Sequence, residues 1–164
     1  MSRTARLERI VAPLPTELAD AVSASRLVLR VAALLEARLD AALLPLDLTM
    51  RDYLALVLIA DAAVEPLRPS DLGVTLDATR TQVTRLLDGL ERHGLVERLP
   101  GREDRRTFEL ALTPAGKALV KRAGPLAHGA YAAAWAALGT TATRQARGLL
   151  TRLHDAIDSA DETP

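Results

Sequence analysis

Between Thr16 and about Leu44, apolar residues return every three or four positions: Leu18, Val22, Leu29, Ala32, Ala33 and Leu39. That period marks one face of a long α-helix, and "LPLD" at 44–47 breaks it. "LTMRDYLALVLIADAAV" is a second helical run, with Thr49 as N-cap and Asp52 three residues on. Pro66 and Pro69 punctuate its exit. Two short helices are predicted at about 70–76 and 80–93, joined by "DAT". The period then falls to two: "LVERL" (95–99) and "TFELAL" (107–112) alternate as strands do, on either side of the charged stretch "PGREDRR". Thr113-Pro114 sets an N-cap and a proline at the first helical position. This helix is predicted to run to about Leu138, with Gly124-Pro125 as a kink or interruption. Gly139-Thr140-Thr141 ends it, and a last amphipathic helix covers about 142–158. Residues 1–15 read as a polar arm closed off by Pro13 and Pro15. The chain is therefore mainly α with a single small β-hairpin.

The centre of this order is "SDLGVTLDATRTQVTRLLDGLERHG", residues 70–94. Two short helices across a tight turn, with apolar or small residues at the crossing, describe a helix-turn-helix. Leu72 and Leu76 point inward, Gly73 permits close approach, and Asp77 tolerates positive φ in the turn. Thr79 and Gln82 form a T-x-x-Q capping box. Val83, Leu86, Leu87 and Leu90 make one apolar stripe. The opposite face offers Arg80, Thr81, Gln82, Thr84, Arg85 and Asp88. With Thr79, its first five are the candidate recognition residues: Arg for guanine, Gln for adenine, Thr for a thymine methyl or a phosphate. Asp88 and Glu91 come later, where less DNA is met. An ordinary solvated helix face is the competing reading for an isolated helix; the preceding helix and following hairpin favour the helix-turn-helix.

Composition sharpens this picture. At 164 residues and 49% hydrophobic, the chain is long enough for one domain with a real core. Aromatic residues are only 2%, so that core is Leu, Val and Ala. There are 21 basic and 21 acidic residues, a net charge of zero, which is unusual in a nucleic-acid binder. Arginine supplies 19 of the 21 basic residues, and its rigid fork suits phosphates and guanines. Genome base composition produces the same bias.

Without cysteine, disulfides, thiolate zinc sites and thiol redox sensing are excluded. No apolar run resembles a signal peptide or a membrane span, so a cytoplasmic protein is expected. His93, His128 and His154 lie on different elements without metal-ligand spacing, and His93 closes the recognition helix. No G-x-S-x-G, P-loop or G-x-G-x-x-G pattern occurs. We therefore expect no catalytic site, metal or cofactor.

Four stretches together resemble the MarR-type winged helix-turn-helix regulators: "LTMRDYLAL" (48–56), "RPSDL" (68–72), "QVTRLLDGLERHGLVER" (82–98), and "DRR" (104–106) running into "LTPAG" (112–116). Gly73 and Asp77 depart from the family, which more often has Ala and Gly there. The resemblance implies a winged helix-turn-helix at 48–112, with dimerisation helices in 1–47 and 113–164. It also implies an obligate homodimer, with terminal helices interleaved and one recognition helix and one wing per subunit. The pattern agrees independently, because the terminal helices are too long and apolar for a 60-residue lobe to cover. A two-fold dimer reads a pseudo-palindromic operator of double-stranded DNA, with half-sites about 34 Å apart.

In this frame "PGREDRR" is the wing. Asp104 holds Arg106, as D-x-R does in the family. Arg102 or Arg105 is then free for the minor groove. The family also binds small aromatic or anionic ligands between the dimer helices and the DNA lobe. Arg26, Tyr53, Tyr131 and Trp135 are candidates to line that crevice, or else pack in the core. The expected function is a homodimeric, sequence-specific repressor released by a small-molecule effector. A winged helix used for protein–protein contact is the alternative that the neutral charge leaves open.

Overall fold

The computed structural model describes residues 12–61, 67, 69–100 and 108–161. Helix α1 spans Thr16–Leu43 and ends in a 3-10 turn at Leu44–Leu46, where Asp47 takes a left-handed φ of 55°. Helix α2, Met50–Asp61, starts as the sequence predicts. The Thr49 N–H donates to Asp52 Oδ2 at 2.9 Å, and the Asp52 N–H donates back to Thr49 Oγ1 at 3.2 Å. A second acid joins this end: the Met50 N–H donates to Asp40 Oδ1 at 2.7 Å, so the tail of α1 helps cap α2.

Helices α3 (Pro69–Thr75) and α4 (Arg80–Arg92) follow, then strands β1 (Val96–Pro100) and β2 (Phe108–Leu112). The strands pair antiparallel, with Val96 opposite Leu112, Arg98 opposite Leu110 and Pro100 opposite Phe108. Opposed residues share a face, so Val96, Leu110 and Leu112 point into the core, with Arg98 beside them.

Helix α5 runs from Pro114 to Trp135 and continues through Pro125, so of the expected kink or interruption the interruption does not occur. Pro125 and Lys121, whose carbonyl loses its helical partner, are both solvent-exposed, and water can satisfy the freed oxygen. A 3-10 turn at Ala136–Leu138 leads into α6, Gly139–Asp161, three residues earlier than the sequence suggests.

One apolar cluster holds these elements together. Leu39 and Leu43 of α1, Leu56 and Ile59 of α2, Leu72 of α3, Leu87 and Leu90 of α4, and Ala123 and Ala127 of α5 are all buried in it. The outer helices are not covered. Along α1 only Leu39 and Leu43 are buried, while Leu27 and Leu29 are 61% and 70% exposed. No described residue of α6 is buried, and Leu149, Leu150, Leu153 and Ile157 form an open apolar stripe along it.

The start of α5 is locked to the entry of β1. The Thr113 hydroxyl donates to the Gly94 carbonyl at 2.6 Å and accepts the Gly116 N–H at 3.1 Å, while the Thr113 N–H donates to the Leu95 carbonyl at 3.1 Å. Gly94 supplies the turn with φ 66°. A Cβ on Gly116 would fall 2.1 Å from the Leu95 carbonyl oxygen, so only glycine fits this crossing. Gly116→Ala is expected to destabilise the protein by at least about 1–3 kcal/mol, the cost of overpacking a fixed backbone contact. Urea denaturation measures this, and an unchanged midpoint would contradict the contact.

Candidate nucleic-acid interface

Helices α3 and α4 meet across residues 76–79. Asp77 adopts φ 46°, the strained role that the sequence assigned to it. The Ala78 N–H donates to the Gly73 carbonyl at 2.9 Å, and a Cβ on Gly73 would come within 3.2 Å of the Ala78 oxygen. A small residue at 73 therefore keeps the turn tight.

The capping box of α4 is complete. The Gln82 N–H donates to Thr79 Oγ1 at 3.3 Å. Gln82 Oε1 accepts the Thr79 N–H at 2.8 Å and the Thr79 hydroxyl at 3.0 Å. Val83, Leu87 and Leu90 are buried and Leu86 is half-buried, which leaves Arg80, Thr81, Gln82, Thr84 and Arg85 exposed together with Thr79.

The six candidate side chains are thus on one accessible surface, but they are not equally free. Both acceptor directions of Gln82 Oε1 are taken by the cap, so its amide NH₂ is what faces outward. The Thr84 hydroxyl donates to the Arg80 carbonyl at 2.9 Å, leaving its methyl and a lone pair. Arg80 and Arg85 form no ion pair among the described residues.

The acids of α4 are drawn the other way. Arg98 of β1 contacts Asp88 at 2.7 Å and Glu91 at 3.0 Å. Such partly exposed pairs are worth about 0–1 kcal/mol each, but they fix where the charges lie. Arg98 therefore belongs with Asp88 and Glu91 of α4. Sequence distance hid this tie; the strand pairing that points Arg98 toward α4 is the signal that reveals it. A cleft of about 890 Å³ lies between α3, α4 and the hairpin, with Val83 and Leu87 among its lining and Arg80, Thr84, Arg98 and Phe108 beside them. The wing candidates Arg102, Arg105 and Arg106, with Asp104, lie outside the described residues.

A MarR family model matches residues 48–108. The transcriptional repressor Mb2911 of Mycobacterium bovis is 30% identical over 136 residues, which is 83% of this chain and 96% of that protein. The chain belongs to the MarR family. It spans 62% of the length of the first curated relatives it matches, an Escherichia coli transcriptional repressor at 30% identity over 110 residues. Its fold is similar to that of a mutant MarR from E. coli complexed with operator DNA (TM-score 0.75, 27% identity, 82% of this chain and 95% of that one). It is also similar to a Mycobacterium tuberculosis MarR family protein in complex with p-aminosalicylic acid (TM-score 0.64, 29% identity, 79% and 97%).

In this MarR-family chain the four candidate effector residues are only partly gathered. Tyr53 is buried and Tyr131 half-buried close to it; burial, and then the neighbouring Tyr53, push the Tyr131 phenol above its ordinary pKa. Trp135 is half-buried near the end of α5, and Arg26 is exposed on α1. His93 caps α4 through its backbone N–H, bonded to the Gly89 carbonyl at 3.1 Å. No group of His, Cys, Asp and Glu suited to a metal ion occurs among the described residues, and no described helix is long and apolar enough to cross a membrane.

Loss of the cap is expected to loosen the N-terminal end of α4. Thr79→Ala should cost about 1 kcal/mol in urea denaturation, with Thr79→Ser largely neutral. Equal stability of the two variants would show that the box contributes nothing.

Proposed function

We propose that this chain is a homodimeric, sequence-specific DNA-binding transcriptional regulator of the cytoplasm, a repressor released by a small aromatic or anionic effector, without enzymatic activity. The observation that carries the reading is the division of charge on α4: Arg80 and Arg85 stand free beside a capped N-terminus, while Arg98 holds the acids at the other end. A helix of this kind presents its N-terminal half to the major groove. Arg80, Thr81 and Arg85 are its principal contacts, with Gln82, Thr84 and Thr79 beside them. Residues 48–112 act as the DNA-binding lobe, Arg102 or Arg105 reaches the minor groove, and Asp104 steadies the wing through Arg106. The open faces of α1 and α6, in segments 1–47 and 113–164, are covered by a second copy; exposed apolar surface of that extent needs a partner. Tyr53, Tyr131, Trp135 and Arg26 remain the proposed effector-lining residues. Support for DNA and for an aromatic ligand comes from the two solved relatives, whose complexes hold operator DNA and p-aminosalicylic acid.

A gel shift on the intergenic DNA upstream of the protein's own gene, with and without salicylate-like ligands, tests the reading. A specific shift is expected at low salt, with log K falling steeply against log salt. A flat plot, or no specific shift, would favour a winged helix used for protein–protein contact. Arg102→Ala or Arg105→Ala should weaken operator binding about tenfold for each half-site, the worth of one charge-assisted contact, with the dimer intact. Asp104→Ala should weaken it through the loosened wing; unchanged affinity in all three refutes the wing assignment. Leu149→Asp combined with Leu153→Asp is expected to yield monomer in size-exclusion chromatography and to abolish operator binding.

A further inference from the structure

We propose that Arg51, at the start of α2, grips one backbone phosphate of the operator together with Arg85 of α4; this rests on the DNA-binding reading above. The two guanidiniums reach the same place from different helices. A cleft of about 230 Å³ is lined by Arg51, Leu76, Ala78, Gln82, Arg85 and Leu86, with no carboxylate among them. Leu76 and Leu86 are half-buried, so the walls are apolar. Two like charges beside a low-dielectric wall focus a positive potential that draws an anion.

Position decides which anion. Gln82 lies in the first turn of α4, so the cleft sits at the helix end that enters the groove. Arg51 itself is not on that helix. With α4 among the bases, the group flanking it is the sugar–phosphate backbone, which arginine binds through its fork. The N-terminus of α2 does not compete for the phosphate, because Asp40 and Asp52 already accept the Met50 and Thr49 N–H groups.

Arg51 is available for the task. Its described acid, Glu36, pairs with it loosely, Nε to Oε1 at 3.7 Å, with both side chains nearly half exposed. Such an exposed, long pair holds the guanidinium weakly. Arg85 has no ion pair among the described residues.

The test is operator binding by fluorescence anisotropy over a range of salt, for the full-length wild type, Arg51→Gln and Glu36→Gln. Arg51→Gln, which removes the contact from both subunits of the dimer, should weaken binding roughly a hundredfold, by the same factor on operator and scrambled duplex, and should reduce the salt slope by about 1.8. Glu36→Gln, which frees Arg51 from its acid, should bind at least as well as wild type. A series of operators each carrying one neutral methylphosphonate should contain one position in each half-site that weakens wild type but leaves Arg51→Gln unaffected. That last measurement separates a lost contact from a damaged fold. Wild-type affinity and slope in Arg51→Gln would overturn the proposal, as would a loss confined to the operator or the lack of such a methylphosphonate position. A wild type that binds no duplex would overturn the DNA-binding reading as well.

Discussion

Everything downstream of α4 depends on one crossing of two backbones. Gly116 lies so close to the Leu95 carbonyl that a methyl group has no room, and Thr113 bonds both sides of the joint. This contact fuses three elements at a point: the end of α4, the first strand of the hairpin and the first turn of α5. Neither long helix nor hairpin can rotate about the junction without breaking hydrogen bonds or driving atoms together. The orientation of α4 is thus handed directly to α5, the helix that packs on α1 and α2.

The second organising feature is a sorting of charge that no total reveals. The chain has as many acids as bases, yet along α4 Arg80 and Arg85 come before Asp88 and Glu91, with Arg92 following in the last turn. Arg98 completes the separation by taking the Asp88 and Glu91 carboxylates toward the hairpin. What remains at the other end is a local positive field, and Arg51 of α2 extends it across the small cleft. A neutral protein can therefore present a cationic surface of limited area, weak at long range and effective at contact.

Much of this was legible in the sequence, and the limits have physical causes. Helix periodicity, the Thr49–Asp52 and Thr79–Gln82 boxes, the Thr113-Pro114 start and the alternating strands are local signals, and each appears where the pattern places it. Asp77 also takes the positive φ that its place in the turn requires. Pro125 does not interrupt its helix, because the carbonyl it frees lies on an exposed face where water is the partner. The Arg98 ties, the Asp40 cap and the Gly116 crossing join residues seven or more positions apart and on different elements, so no helical or strand period contains them. The sequence offers Gln82 both as a capping-box residue and as an adenine reader, and the cap takes both acceptor directions of its Oε1. The wing arginines, outside the described residues, rest on the motif that named them.

The open stripe of α6 has a consequence for how such a molecule persists in a cell. A helix of 23 residues with no buried side chain among those described gains little from its own subunit, since most helical stability in proteins comes from packing an apolar face. If its packing is supplied by a second copy, folding of the outer helices and association become a single equilibrium. The free energy of that equilibrium carries a concentration term. Scarcity then acts twice, lowering the number of chains and the fraction of each that is fully folded. The amount of active species falls faster than the amount of protein, a threshold that arises without any ligand.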